Sequence, residues 1–114
     1  MNCVYHRNKP PYGYTTTIIT EDASAYVMIT QFDETKETAV IHDLVVLKDR
    51  RGEGLGSKLL EEAIAEAGRM GADTARLSVE TGSWLAEWYK RHGFHETGDV
   101  EDLGKKFIVL ERSI

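Results

Sequence analysis

The sequence predicts a mixed α/β fold in which helices pack on the faces of one sheet, in the order β-β-β-α-β-α-β-β. Three observations predict it. Stretches rich in β-branched residues alternate with segments of helical periodicity. The longest helix carries Leu55, Leu59, Leu60, Ala63, Ile64 and Ala67 along one stripe and is entered from an apolar strand. The 114 residues, 41% hydrophobic and 29% charged, suit a single domain, residues 1–114, around one core.

Each element has its own justification. Lys9-Pro10-Pro11-Tyr12-Gly13 cannot be helical, because proline lacks a donor and restrains the residue before it. Tyr14-Thr15-Thr16-Thr17-Ile18-Ile19-Thr20 reads as the first clear strand. The run from Ala25 to Phe32 is the second, and the polar Glu21–Ser24 turn makes the two a hairpin. A longer strand spans about Thr38 to Leu47. The main helix ends near Gly68 or Gly71, where glycine adopts a left-handed cap, and Lys58, Glu61, Glu62 and Glu66 mark its solvated face. Thr74–Glu80 alternates with period two, as a half-buried strand does. A short helix runs from Ser83, a capping residue, to His92 and stops before Gly93. Phe94–Thr97 and Lys105–Glu111 are closing strands around a polar Gly98–Gly104 connection.

Composition excludes several classes. No apolar run reaches the length of a membrane span, and Met1–Arg7 lacks the apolar core of a signal peptide. One cysteine, Cys3, cannot form an internal disulfide, so a reducing cytoplasm is the expected setting. A net charge of −5 argues against nucleic acid and suits a cationic amine. His92 and His95 lack further ligands at metal spacing, so no metal is expected.

The chemistry centres on Val45-Val46-Leu47-Lys48-Asp49-Arg50-Arg51-Gly52-Glu53-Gly54-Leu55-Gly56-Ser57. A strand enters and a helix leaves, with three glycines and two arginines between. The first amides of a helix have no intrahelical partner and sit at the positive end of its dipole. Glycine brings such backbone close to a ligand, and arginine complements phosphate. The turn is suited to a pyrophosphate. No Gly-Lys-Ser/Thr follows, so it is not a Walker loop, and the glycine rhythm is not that of a dinucleotide fingerprint.

Leu44-x-Val46 followed by Arg51-x-x-Gly54-x-Gly56 resembles the acetyl-CoA pyrophosphate loop of the GNAT superfamily of N-acetyltransferases. Trp88-Tyr89-Lys90-Arg91-His92-Gly93-Phe94 resembles that family's aromatic-Tyr-x-x-x-Gly-Phe segment, in the right order and at a suitable distance. The resemblance implies a central mixed, mostly antiparallel sheet and transfer of acetyl from coenzyme A to a primary amine. It assigns the pantetheine arm to the strand edge at Leu44, Val45 and Val46, and the pyrophosphate to Arg51, Gly52, Glu53, Gly54, Leu55, Gly56 and Ser57. Tyr89 takes the family's place of general acid to the coenzyme A thiolate; a phenol with a pKa near ~10 is protonated at neutral pH. Gly82 stands where many relatives carry an asparagine.

A general base is less defined. By the two-residue period of a strand, His42 shares a face with Leu44 and Val46 and is the candidate; an amine arriving neutral needs none. The family's usual N-terminal helix pair has no room before Tyr14, and Cys3-Val4-Tyr5-His6 leaves at most a vestigial first strand. The acceptor, a small-molecule or protein amine, then meets a wall completed by a second copy in a homodimer, or lies in an open groove. A catalytically silent acyl-CoA-binding module and a phosphate-binding interaction domain are the competing readings.

Overall fold

The structure is a computed structural model that describes residues 2–114. One sheet holds β1 (Cys3–Asn8), β2 (Gly13–Thr20), β3 (Ala25–Phe32), β4 (Thr38–Val46), β5 (Thr74–Glu80), β6 (His95–Asp102) and β7 (Lys105–Ser113). The helices are α1 (Leu55–Arg69), between β4 and β5, and α2 (Trp84–Arg91), between β5 and β6. The strands lie in the order β1-β2-β3-β4-β5-β7-β6. Every pair is antiparallel except β4–β5, whose crossover is α1, as a parallel pair requires.

Alternation along the strands decides which face is covered. Ile18, Val27, Ile29, Ala39, Ile41, Ala75, Leu77, Val79 and Leu110 are buried on one face, under Leu55, Leu59, Leu60, Ala63, Ile64 and Ala67 of α1. Ala86 and Tyr89 of α2 close the same core beside Phe94. Both helices lie on this face: Arg112 of β7 reaches the Glu61 carboxylate of α1 and the His92 carbonyl at the end of α2. Among the described residues no helix covers the other face, where Thr17, Ile19, Tyr26, Met28 and Val40 are half-buried.

Three elements differ from expectation. The first residues form a full strand, β1, paired with β2 from Cys3↔Thr20 to Asn8↔Thr15. Its polar, charged edge hides it from a hydrophobic pattern, and its stability comes from α1. Tyr5 donates to Glu62, and Arg7 grips Glu66 through two bonds of 2.8 and 2.9 Å. Glu66 is therefore not on the solvated face: it is 2% exposed, with Thr16 Oγ1 at 2.7 Å and Arg69 Nε at 2.9 Å also donating to it. The polar connection expected over Gly98–Gly104 is mostly strand. β6 runs to Asp102 against β7, and Leu103 and Gly104 turn the hairpin at positive φ. All residues of β6 are exposed, so it carries no apolar alternation to read.

The ends of the helices follow local rules. Gly71 at φ +92° ends α1, with Ala72 N–H bonding Ala67 O and Gly71 N–H bonding Gly68 O, a paired cap that needs the left-handed conformation. Ser83 caps α2 by accepting from Leu85 N–H. Among the described residues no helix is long and apolar enough to cross a membrane.

Candidate active site

The site opens where β4 leaves β5. These strands pair only over Thr38↔Thr74, Ala39↔Ala75 and Val40↔Arg76. Beyond Val40 the β5-facing edge of β4, from Ile41 to Val46, has no ladder partner among the described residues. The bend responsible is a β-bulge: Met28 pairs His42 and Tyr26 pairs Val45, so β4 carries one residue more than β3. The extra residue is Asp43 at φ +60°, a conformation that aspartate tolerates better than most residues.

The bulge corrects one expectation. Met28 and Tyr26 share a face of β3, so their partners His42 and Val45 share a face of β4, while Leu44 and Val46 point the other way, into the helix-covered side. His42 is thus on the opposite face from Leu44 and Val46. Its Nε2 bonds Thr30 Oγ1 at 2.7 Å. A period of two is the wrong rule for a strand containing an inserted residue.

The turn after β4 presents donors. A short 3-10 turn over Lys48–Arg50 leads to Gly52 and Gly54 at φ +85° and +79°, Gly54 being the N-cap of α1 with no side-chain cap. Among the described residues, none of the backbone amides from Gly52 to Ser57 finds an acceptor; the first bonded one is Lys58, to Gly54 O. The arginines behave unequally. Arg50 is spent within the protein, its guanidinium held by Asp22 and by both carboxylate oxygens of Glu53, so it and Glu53 brace the turn. Arg51 is exposed, and its Nε donates to Val46 O at 3.1 Å.

An open groove of about 510 Å³ joins these parts. Leu44, Val45 and Val46 line one wall, Arg51, Gly52, Gly54, Leu55, Gly56 and Ser57 the end, and Trp84, Leu85, Trp88 and Tyr89 of α2 the other wall. His42 is not among them. Tyr89 is 7% exposed, with Trp88 and Phe94 edge-on at centroid distances of 5.0 and 5.5 Å. Burial pushes its phenol up to about 12, so it remains a proton donor throughout the physiological range. At Gly56 a Cβ would meet the Trp88 ring at 3.6 Å, an ordinary contact, so there is room for a methyl group but little beyond it.

Sequence reasoning missed part of the groove. Trp84 stands 71% exposed at the rim; its place one residue after the Ser83 cap was the available signal. Also unforeseen is the contact of Ser57 with His92, Oγ to Nε2 at 3.0 Å. Cys3 stands apart on β1, where burial pushes its thiol up. Among the described residues no three His, Cys, Asp or Glu side chains converge as a metal site.

A family model described as an acetyltransferase (GNAT) domain matches residues 12–96. An L-methionine sulfoximine/L-methionine sulfone acetyltransferase of Pseudomonas aeruginosa is 33% identical over 69 residues, 60% of this chain and 40% of that protein. An uncharacterized N-acetyltransferase of Methanocaldococcus jannaschii is 41% identical over 64 residues, 55% of this chain and 28% of that protein. The match thus spans less than half the length of either relative. Among solved structures, a GNAT family acetyltransferase from Elizabethkingia anophelis with acetyl-CoA bound superposes with a TM-score of 0.74 at 14% identity, over 99% of each chain. Nourseothricin acetyltransferase does so with 0.73 at 18% identity, over 99% of this chain and 85% of that one. These two likenesses are of fold.

Proposed function

Because the chain belongs to the acetyltransferase (GNAT) domain family, we propose that it binds acetyl-CoA in the groove beside β4 and transfers the acetyl group directly to a primary amine. The observation that carries this is the continuity of a run of free helix-start amides with a strand edge that no other strand pairs, where Val46 O alone is taken, by Arg51 Nε. The amides of Gly52–Ser57 have no acceptor among the described residues, and the edge of β4 from Ile41 to Val46 has no partner strand. A diphosphate satisfies the first set; the amides of a pantetheine arm, lying as an added strand, satisfy the second. Coenzyme A carries both in one molecule.

The thioester then lies beside Leu44–Val46, where a backbone N–H polarises its carbonyl. The amine nitrogen attacks the carbonyl carbon and the carbon–sulfur bond breaks. The departing thiolate takes a proton from Tyr89, whose phenol is regenerated from the proton shed by the new amide nitrogen, through solvent. Among the described residues no side-chain base lines the groove, so the amine enters neutral; His42, bonded to Thr30 on the far face, has no part in this scheme. Residues 1–114 act as one domain in the cytoplasm, without nucleic acid or membrane. A second copy completes the acceptor wall, and a monomer in sedimentation would remove that point. The name of the Pseudomonas relative makes an amino-acid amine the first acceptor to try, with peptide N-termini next.

Titration calorimetry with coenzyme A, beside ATP at the same concentration, tests the cofactor. Saturable heat with coenzyme A alone is expected, and equal response to both would mean a general phosphate site. Thiol release from acetyl-CoA across a panel of amines tests the reaction. Binding without release for every amine would replace the enzyme by a silent acyl-CoA-binding module.

A further inference from the structure

Ser57 at the end of the groove is bonded to His92, which follows the α2 wall, and we propose that His92 is the proton partner of Ser57 in cofactor binding. The diphosphate is held with His92 as imidazolium, Nε2–H donating to Ser57 Oγ while the Ser57 hydroxyl turns to a phosphoryl oxygen. This rests on the coenzyme reading above and adds a positioning residue to it.

The argument is one of donors and acceptors. His92 Nδ1 lies 2.8 Å from Trp88 O. A carbonyl only accepts, so Nδ1 carries the hydrogen. In the neutral ring Nε2 is then a lone pair, and the contact at 3.0 Å needs Ser57 to be the donor. Its one proton is committed. The Ser57 oxygen therefore offers lone pairs to the groove it lines, beside the free amides of Leu55 and Gly56. An anionic oxygen arriving there meets repulsion from the hydroxyl. Rotating the hydroxyl away would leave Nε2 of a half-buried ring unpaired. Taking one proton from solvent onto Nε2 satisfies every group: the ring donates twice, Ser57 accepts from it, and Ser57 donates to phosphate.

The surroundings admit that charge. The Trp88 ring lies 4.2 Å from the imidazole at 36°, a face that favours a cation. From β7, Arg112 donates to His92 O at 3.0 Å, but its charge is answered by Glu61 of α1 at 2.9 Å. On α2, Lys90 is paired with Glu96 and Glu87, and Arg91 is exposed, as is Lys58 beside Ser57 on α1. Among the described residues no carboxylate bonds the imidazole, so the incoming diphosphate is the anion that decides its state. Cofactor binding thereby reverses the bond that already joins the helix bearing Tyr89 to the start of α1, without breaking it.

The test is calorimetry with 3′-dephospho-CoA, which has no phosphomonoester titrating near neutrality, in two buffers of different ionisation enthalpy at one mildly alkaline pH. Net uptake approaching one proton per bound ligand is expected for the native chain, and none for Ser57→Ala or His92→Phe. Each of these variants should bind roughly tenfold more weakly, the worth of one hydrogen bond to a charged group. The double variant should be little worse than either, since the pair acts as a unit. His95→Phe, exposed on β6, should match the native chain in both respects. Binding of the native chain without buffer dependence, or proton uptake that survives His92→Phe, overturns the proposal while leaving the coenzyme reading intact. No binding by the native chain removes both.

Discussion

Tyr89 combines burial with an unoccupied hydroxyl. Its aromatic neighbours fix the ring, and no side chain or carbonyl among the described residues takes the phenol proton. A phenol pushed up to about 12 cannot serve as a base near neutrality, yet it is well placed to reprotonate a thiolate. Tyr89→Phe should lower turnover by roughly 10²–10⁴-fold, the usual worth of a positioned acid, while calorimetry shows unchanged coenzyme A affinity. Native turnover in that variant would take Tyr89 out of the reaction. The glycines of the turn separate into two kinds. Gly54 has open space around a would-be Cβ but needs φ +79°, so Gly54→Val strains the backbone by about 1–2 kcal/mol. It should lose coenzyme A binding while retaining a cooperative melt. Gly56 is helical and faces Trp88, so Gly56→Ala should be nearly silent and a larger residue should push into α2.

At the scale of elements, α1 anchors both the core and the site. Leu59 is fully buried, and Leu59→Ala should cost about 2–5 kcal/mol in denaturant unfolding. Glu66 links the helix to β1, a strand that its own sequence hardly announces. Bonds from Arg7, then from Thr16 and Arg69, outweigh burial and lower its carboxyl from 4.5 to about 2. The carboxylate is thus favoured in the folded state. Its contribution is complete above the unfolded value and drains as the pH falls from about 4.5 towards 2. Glu66→Gln should lower stability by about 2 kcal/mol near neutrality and flatten the acid limb of unfolding midpoint against pH. An unchanged acid limb would show that other carboxylates set it. Helical spacing held the clue, since Glu66 lies three and seven residues after Ala63 and Leu59. What could be read directly was whatever paired periodicity with burial: β2, β3, β5, α1 and α2 are such elements. What could not be read depended on distant partners. β1 needs Glu62 and Glu66 from 57 to 59 residues away, β6 needs only the backbone of β7, and the bulge in β4 exists through its misfit with β3.

For the whole molecule, the same division separates the two halves of the site. The glycine turn at the end of the groove was legible because glycines and a helix start are local signals. The facing of His42 was not, because one inserted residue reverses a face without altering the composition around it. The sheet is covered on one side by both helices, so the turn after β4 and the Tyr89 helix share a roof and meet through Ser57 and His92. Asp43 has a consequence for the entire architecture. Were it deleted, His42, Leu44, Val45 and Val46 would alternate without interruption and keep their present sides, so the interior would lose nothing. The neighbouring parallel strands could then zip together along their full length. Such a shortened chain should melt at least as high as the native one yet take up no coenzyme A in calorimetry, having traded its opening for a closed seam.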